Sequence, residues 1–102
     1  MDTNLTITSK QRAKLKSIAM TQESILSIGK DSLTEEFIAA AEEAIEAREL
    51  IKIAVLKNCD DDRMAIANAI AERIDAIVVQ IIGRKIVLYR QARKPENRKI
   101  KI

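Results

Sequence analysis

The sequence contains no histidine, one cysteine, one proline, two glycines and only two aromatic residues among 102. Without histidine, the chain cannot build a His-based catalytic triad or most kinds of zinc site. A lone cysteine, Cys59, cannot form an internal disulfide, which is typical of proteins from a reducing compartment. So little glycine and proline excludes most turn-rich all-β folds, and so few aromatic rings exclude an RRM-like stacking surface.

Long apolar runs are also missing. No stretch approaches the roughly 20 apolar residues that a membrane span needs, and Met1 to Asn4 lack the basic-then-apolar layout of a secretory signal. The length and the 47% hydrophobic content indicate one globular domain with one core. We therefore expect a cytoplasmic monomer with no membrane partner.

Charge is distributed unevenly, although the chain as a whole carries a net charge of +3. Residues 1–30 have a net charge of +3, residues 31–75 of −7 and residues 76–102 of +7. Two basic ends around an acidic middle indicate a polyanionic partner. The alternative is that the basic side chains are only a solvated surface.

Hydrophobic periodicity, caps and β-branched runs predict three amphipathic helices and four short strands. The helices run from Thr8 or Ser9 to about Met20, from Ser32 or Thr34 to about Glu49, and onward from the acidic run 60–62. The strands are 24–28, 50–56, 76–82 and 86–90.

The order α-β-α-β-α-β-β predicts a two-layer α/β fold with a four-stranded mixed sheet and the helices on one face. Strands separated by helices run parallel, whereas the last two strands form an antiparallel hairpin. Lys52 and Gln80 lie inside apolar strands, which predicts that the other sheet face is partly wet. We expect one domain over residues 1–90, followed by a basic, flexible tail over 91–102.

The first candidate site is the junction Gly29-Lys30-Asp31-Ser32, where a strand ends and a helix begins. Helix starts present unpaired N–H groups that suit phosphate, and Lys30 adds a cation. The segment is similar to the KH type of GXXG loop, which clamps a nucleic-acid backbone, with Ser32 in the fourth position. The alternative is an ordinary β–α loop with a capping serine.

Two further basic segments are candidates for phosphate contact. Arg84 and Lys85 follow Gly83 at a hairpin tip, where adjacent cations cannot both be buried. The start of the first helix carries several cations although the helix dipole disfavours them there. Solvated surface is the alternative at both places. The helix cations are Lys10, Arg12, Lys14 and Lys16.

Catalytic interpretations find little support in the sequence. The aspartates at 60–62 are explained by the start of a helix, and the EF-hand pattern is absent. Cys59 has no histidine partner, and no Walker or Rossmann glycine pattern exists. We expect no enzyme activity, no metal, no cofactor and no small-molecule substrate.

Four segments between Leu5 and Arg90 together carry a resemblance to a known family. These segments are 5–12 (LTITSKQR), 28–35 (with Ile28-Gly29-Lys30 and Leu33-Thr34-Glu35), 49–53 (ELIKI) and 79–90 (VQIIGRKIVLYR), the last being the most specific. The chain resembles the bacterial YhbY family of ribosome-assembly RNA-binding proteins, the stand-alone form of the CRM domain.

The resemblance implies a fold similar to the C-terminal domain of translation initiation factor three. It also implies binding to structured rRNA in precursor large ribosomal subunits. The family's GXXG loop falls on Gly29, Lys30, Asp31 and Ser32, and its basic first helix is matched here as well. A second hypothesis is a protein-interaction module that docks a ribosomal protein through the wet sheet face or the acidic second helix.

Overall fold

The computed structural model describes residues 7–102, so Met1 to Thr6, including the first two residues of the resemblance, lie outside the described part. The predicted order of elements is confirmed. No helix within 7–102 has the length and apolar character needed to cross a membrane. The elements are α1 (Ser9–Ala19), β1 (Leu26–Ile28), α2 (Glu35–Arg48), β2 (Leu50–Val55), α3 (Arg63–Ile74), β3 (Ile77–Ile82), β4 (Lys85–Tyr89) and a 3₁₀ turn (Pro95–Asn97).

Side-chain caps fix where each helix begins. Thr8 and Gln11 form a reciprocal capping box at α1, in which each side chain accepts from the other's backbone N–H. Thr34, rather than Ser32, caps α2 by accepting from the N–H of Phe37 at 3.0 Å. Asp62 caps α3, which confirms that a helix start explains this aspartate.

The four strands form one mixed sheet in the order β1-β2-β4-β3. β1 pairs with β2 in parallel, and β4 lies antiparallel between β2 and β3. A bulge between Val78 and Gln80 interrupts the β3–β4 register. Gly83 turns the hairpin with a φ of +57°, a conformation that costs glycine little.

The predicted α/β class and mixed sheet are confirmed, but the helices do not all share one face. α2 and α3 cover the face that carries Ile51 and Ile53. Leu15 of α1 packs on the opposite face, against Leu50 and Val87. The reason is that β2 and β4 bury consecutive residues, so both faces of the sheet are apolar at this level and both need a cover. Lys52 and Gln80 lie beyond that cover and are half-exposed, as predicted.

The C-terminal segment (91–102), predicted to be a flexible tail, makes hydrogen bonds with the domain. Its backbone donates to the buried carboxylate of Glu49 from the N–H groups of Ala92 at 2.7 Å, Lys99 at 2.7 Å and Ile100 at 2.8 Å. Burial would raise the pKa of Glu49, but these three donors outweigh it and leave the pKa lowered. Ile100 completes the contact by packing beside α1.

A buried arginine joins this segment to the helices. Arg90 is 4% exposed, and its guanidinium bonds Glu42 at 2.8 Å, Glu46 at 2.9 Å and the carbonyl of Ile74 at 2.8 Å. Glu46 also accepts from the side chain of Asn97 and from the backbone N–H groups of residues 93 and 94, which lowers its pKa to about 2. Two of the acidic residues of α2 therefore serve the fold.

Candidate nucleic-acid interface

Three loops meet at one end of the sheet because β1 and β2 are parallel and end there together. The N–H of Leu56 donates to the carbonyl of Ile28 at 2.8 Å, and the N–H of Val55 donates to the carbonyl of Arg84 at 2.7 Å. The β3–β4 hairpin tip thus lies beside the carboxyl end of β2. We call residues 29–32, 56–61 and 83–85 the loop end.

The Gly29–Ser32 loop is a tight turn fastened to its neighbour. The N–H of Ser32 donates to the carbonyl of Gly29 at 3.0 Å, and the Ser32 hydroxyl donates to Asp61. Ser32 has a φ of +54°, in the left-handed region that favours glycine. A Cβ on Gly29 would lie 3.2 Å from the side-chain oxygen of Asn58, so the two loops are in close contact. The GXXG-like turn is therefore held in place by the segment that follows β2.

Four exposed cations lie at the loop end, and three of them were predicted. Arg84 donates to the carbonyl of Leu56 at 3.3 Å, and Lys85 donates to the Ser24 hydroxyl at 3.2 Å. Between described residues, no ion pair involves any of the four. Their charge is therefore available to an anionic ligand. The four are Lys30, Lys57, Arg84 and Lys85.

Sequence reasoning missed Lys57, although a signal for it existed. Lys57 follows β2 by two residues, and Lys30 follows β1 by two. Since the carboxyl ends of parallel strands meet at the same sheet edge, a parallel β1–β2 pair brings these two lysines together. The topology rule finds a residue that no local motif marks.

The start of α2 contributes less to an anion site than the sequence predicts. Thr34 already occupies the N–H of Phe37, and the first turn carries Glu35 and Glu36. Arg73 bonds Glu35 at 2.7 Å, which lowers the pKa of that carboxyl and raises that of the arginine. Asp31 is exposed in the turn itself and opposes an anion. Lysine and arginine side chains, rather than the helix terminus, are the chief anion-binding groups here.

Two of the α1 cations, Arg12 and Lys14, are bonded to groups away from the loop end. The Arg12 guanidinium donates to the carbonyls of Val78 and Val79, at 2.8 Å and 2.6 Å, beside the β3 bulge. Lys14 instead donates to the carbonyl of Lys101 in the C-terminal segment. Residues two apart on a helix project to different sides. Lys16 thus shares the flank of Arg12, whereas Lys10 shares that of Lys14.

Tyr89 and Cys59 both have structural roles. Tyr89 is 6% exposed and packs with Leu15 and Val87 on the sheet face that α1 covers, so its ring is not available to stack on a base. Burial, together with the charge of Glu49, raises the pKa of Tyr89. Cys59 is buried in the core under α2 and α3. Among residues 7–102, no group of three carboxylate or thiol side chains is placed to hold a metal ion.

The chain is similar to a known domain family and to several individual proteins. The CRS1 / YhbY (CRM) domain matches residues 7–90. The chain is 38% identical to the "Probable RNA-binding protein YqeI" of Bacillus subtilis, covering 94% of this chain and 98% of that protein. It is 36% identical to an "RNA-binding protein" of Haemophilus influenzae, covering 83% and 86% of the two chains.

A solved structure agrees with these relatives. The solution structure of the hypothetical protein SAV1595 from Staphylococcus aureus matches with a TM-score of 0.76 and 34% identity. The match covers 94% of this chain and all of the other, so the two proteins share this fold. The predicted resemblance is confirmed: the chain belongs to the CRS1/YhbY (CRM) domain family.

Proposed function

We propose that this protein binds structured ribosomal RNA in precursor large ribosomal subunits and assists their assembly, without a catalytic step. The observation that carries the proposal is the loop end, where four exposed cations, which form no ion pair with residues 7–102, surround a GXXG-like turn. Membership of a family whose relatives are named RNA-binding proteins supports the same class of ligand.

Phosphate contacts dominate binding in this proposal, and RNA shape matters more than base sequence. Each neutralised phosphate on a single strand contributes about 0.7 to the slope of log affinity against log salt. With about four phosphates contacted, raising salt from 50 to 200 mM weakens binding roughly 50-fold. A flat salt response contradicts the proposal.

The second hypothesis, a module that docks a basic ribosomal protein, has a smaller surface than the sequence indicates. The hypothesis rests on Glu42, Glu43 and Glu46 of α2, and two of them, Glu42 and Glu46, already bind Arg90. Glu43 remains exposed. The wet sheet face is positively charged through Lys52 and Lys85, which does not complement a basic partner.

The decisive experiment is ultraviolet crosslinking in cells followed by sequencing of the attached RNA. We expect enrichment of large-subunit rRNA and co-sedimentation with precursor large subunits. Nuclease treatment should release the protein from those particles. Association that survives complete RNA removal favours the protein-docking hypothesis instead, and crosslinks confined to other RNA classes contradict the ribosomal assignment.

A further inference from the structure

One part of the sheet has no cover within the described chain. α1 packs over the level of Leu50, Val87 and Tyr89, and leaves the next level toward the loop end open. The strand pairings define one residue per strand at that level. These four, called the open row, are Ile82 of β3, Lys85 of β4, Ala54 of β2 and Ser27 of β1.

The open row lies on the α1 side of the sheet. Lys52 pairs with Val87, which lies in the buried cluster that α1 covers. Ala54 is two residues further along β2 and therefore points to the same face. Ala54 pairs with Lys85 and Ser27, and Lys85 pairs with Ile82. All four side chains therefore share one face, which spans three strand spacings, or about 14 Å.

Apolar side chains are exposed at this surface. Ile82 is 56% exposed at one end of the row, and Leu56 is 44% exposed one residue beyond β2. Small residues, Ala54 and Ser27, lie between and beside them. A groove of about 550 Å³ runs along β1, lined by residues 24–27 and Ala54. The surface is thus partly apolar and accessible, with a shallow groove at its β1 edge.

Cations surround this apolar surface. Lys85 belongs to the row itself, and Arg84 bonds the carbonyl of Leu56. Lys30 and Lys57 lie in the adjoining loops, where Asp31, Asp60 and Asp61 are exposed opposing charges. An anion-bearing ligand with a flat apolar part matches this pattern, and a nucleotide has both features.

We infer that the open row together with Leu56 holds an unpaired nucleobase of the bound RNA, while the loop-end cations hold the flanking phosphates; the inference rests on the proposed function. The base must be unpaired, because an A-form duplex keeps its base faces stacked inside. Contact is with aliphatic side chains, not with aromatic rings. A protein partner fits less well, since a stable interface buries about 800 Å² per partner, far more than this row presents.

Two RNAs of equal length test the inference, one fully paired and one with an internal unpaired loop. We expect wild-type protein to bind the looped RNA more tightly. The double variant Leu56→Ser/Ile82→Ser should lose that preference, about fivefold on the looped RNA, the effect of about 40 Å² of apolar contact. Its duplex binding and its salt slope should stay the same. The matched control is Met64→Ser on α3, which removes an equally exposed apolar side chain from the opposite side of the sheet.

A crosslinking measurement on the wild-type protein makes the test independent of variant stability. A photoreactive uridine in the unpaired loop should crosslink to peptides containing residues 54–57 or 82–85. Crosslinks elsewhere, or equal losses on both RNAs in the double variant, overturn the inference. If the double variant keeps its RNA affinity but loses a protein that co-purifies with the wild type, the surface is a protein-docking site, and the inference is also overturned. If wild-type protein binds neither RNA, the proposed function fails instead.

Discussion

The two ends of the sheet use charged residues in opposite ways. At the loop end, Lys30, Lys57, Arg84 and Lys85 are exposed, and no ion pair between described residues involves them. At the other end, which we call the clamp, Arg90 is buried between two α2 carboxylates, and Glu49 is buried under the backbone of the C-terminal segment.

This difference teaches that the number of cations says little about where a ligand binds. A buried charge must be paired and hydrogen-bonded, so the clamp residues are committed to the fold. An exposed cation contributes little stability through a surface ion pair, so its charge remains available to a binding partner. The two ends differ chiefly in whether their charged side chains are paired within the protein, and less in how many charges they carry.

The largest effect is expected from breaking the clamp. Arg90→Ala leaves Glu42, Glu46 and the carbonyl of Ile74 without their common donor. Removing one partner of a buried ion pair costs about 3 kcal/mol of unfolding free energy, measured by urea denaturation. Arg84→Ala is the control, with a change below about 0.5 kcal/mol. Equal destabilisation by the two variants contradicts the comparison.

The next largest effect is expected at the loop end. Lys30→Ala/Arg84→Ala should weaken rRNA binding roughly 30-fold, at about 1 kcal/mol for each lost phosphate contact. The salt slope should fall by about 1.4, and the melting temperature should barely change. Lys94→Ala removes one charge from the C-terminal segment, beside Glu46, and should leave binding within about twofold. If Lys94→Ala weakens binding as much as the double variant, the interface is not at the loop end.

Low pH should destabilise the clamp more than the loop end. The pKa of Glu46 is lowered from 4.5 to about 2 in the folded protein, so its contribution is fully present above pH 4.5 and is lost as the pH falls toward 2. Glu49, with a lowered pKa, acts in the same direction. We expect the hydrogen-exchange protection of residues 92–100, taken relative to the intrinsic rate at each pH, to fall over this range before that of the strands. The variant Glu46→Gln should show a weaker pH dependence of stability; an unchanged one contradicts the assignment.

The smallest effect is expected at Ser32. Ser32→Gly relieves the left-handed backbone but loses the hydrogen bond to Asp61, so stability should change by less than about 1 kcal/mol. Without the Cβ, a phosphate approaches the turn more closely, and RNA affinity should rise about threefold, or about 0.6 kcal/mol. Ser32→Ala keeps the Cβ and loses the hydrogen bond. It should lower the melting temperature without the gain in affinity, and equal affinity of the two variants contradicts this role of the side chain.

Much of the fold could be predicted because its signals are local. Helix starts are marked by Thr8, Thr34 and Asp62, whose side chains each accept a hydrogen bond from the backbone N–H three residues later. Alternating and continuous apolar runs identify the four strands within two residues of their observed ends. Gly83 marks the hairpin, because the turn needs a positive φ.

The candidate site was only partly predictable, for a related reason. The turn at Gly29–Ser32 and the cations Arg84 and Lys85 carry local motifs, and the structure places them at one end of the sheet. Lys57 carries no motif and is identified only by the parallel pairing of β1 and β2. Arg12 looks like its neighbours in sequence, yet it is used on the carbonyls of β3, 66 and 67 residues away.

The sequence by itself determined the order of helices and strands, their caps and the basic character of the turns, because each depends on residues within a few positions of one another. Only the tertiary structure decided that α1 covers the second sheet face, that Glu49 fastens the C-terminal segment, and which cations stay unpaired. Such choices depend on contacts between residues far apart in the chain, where burial and partner geometry, not local propensity, set the free energy.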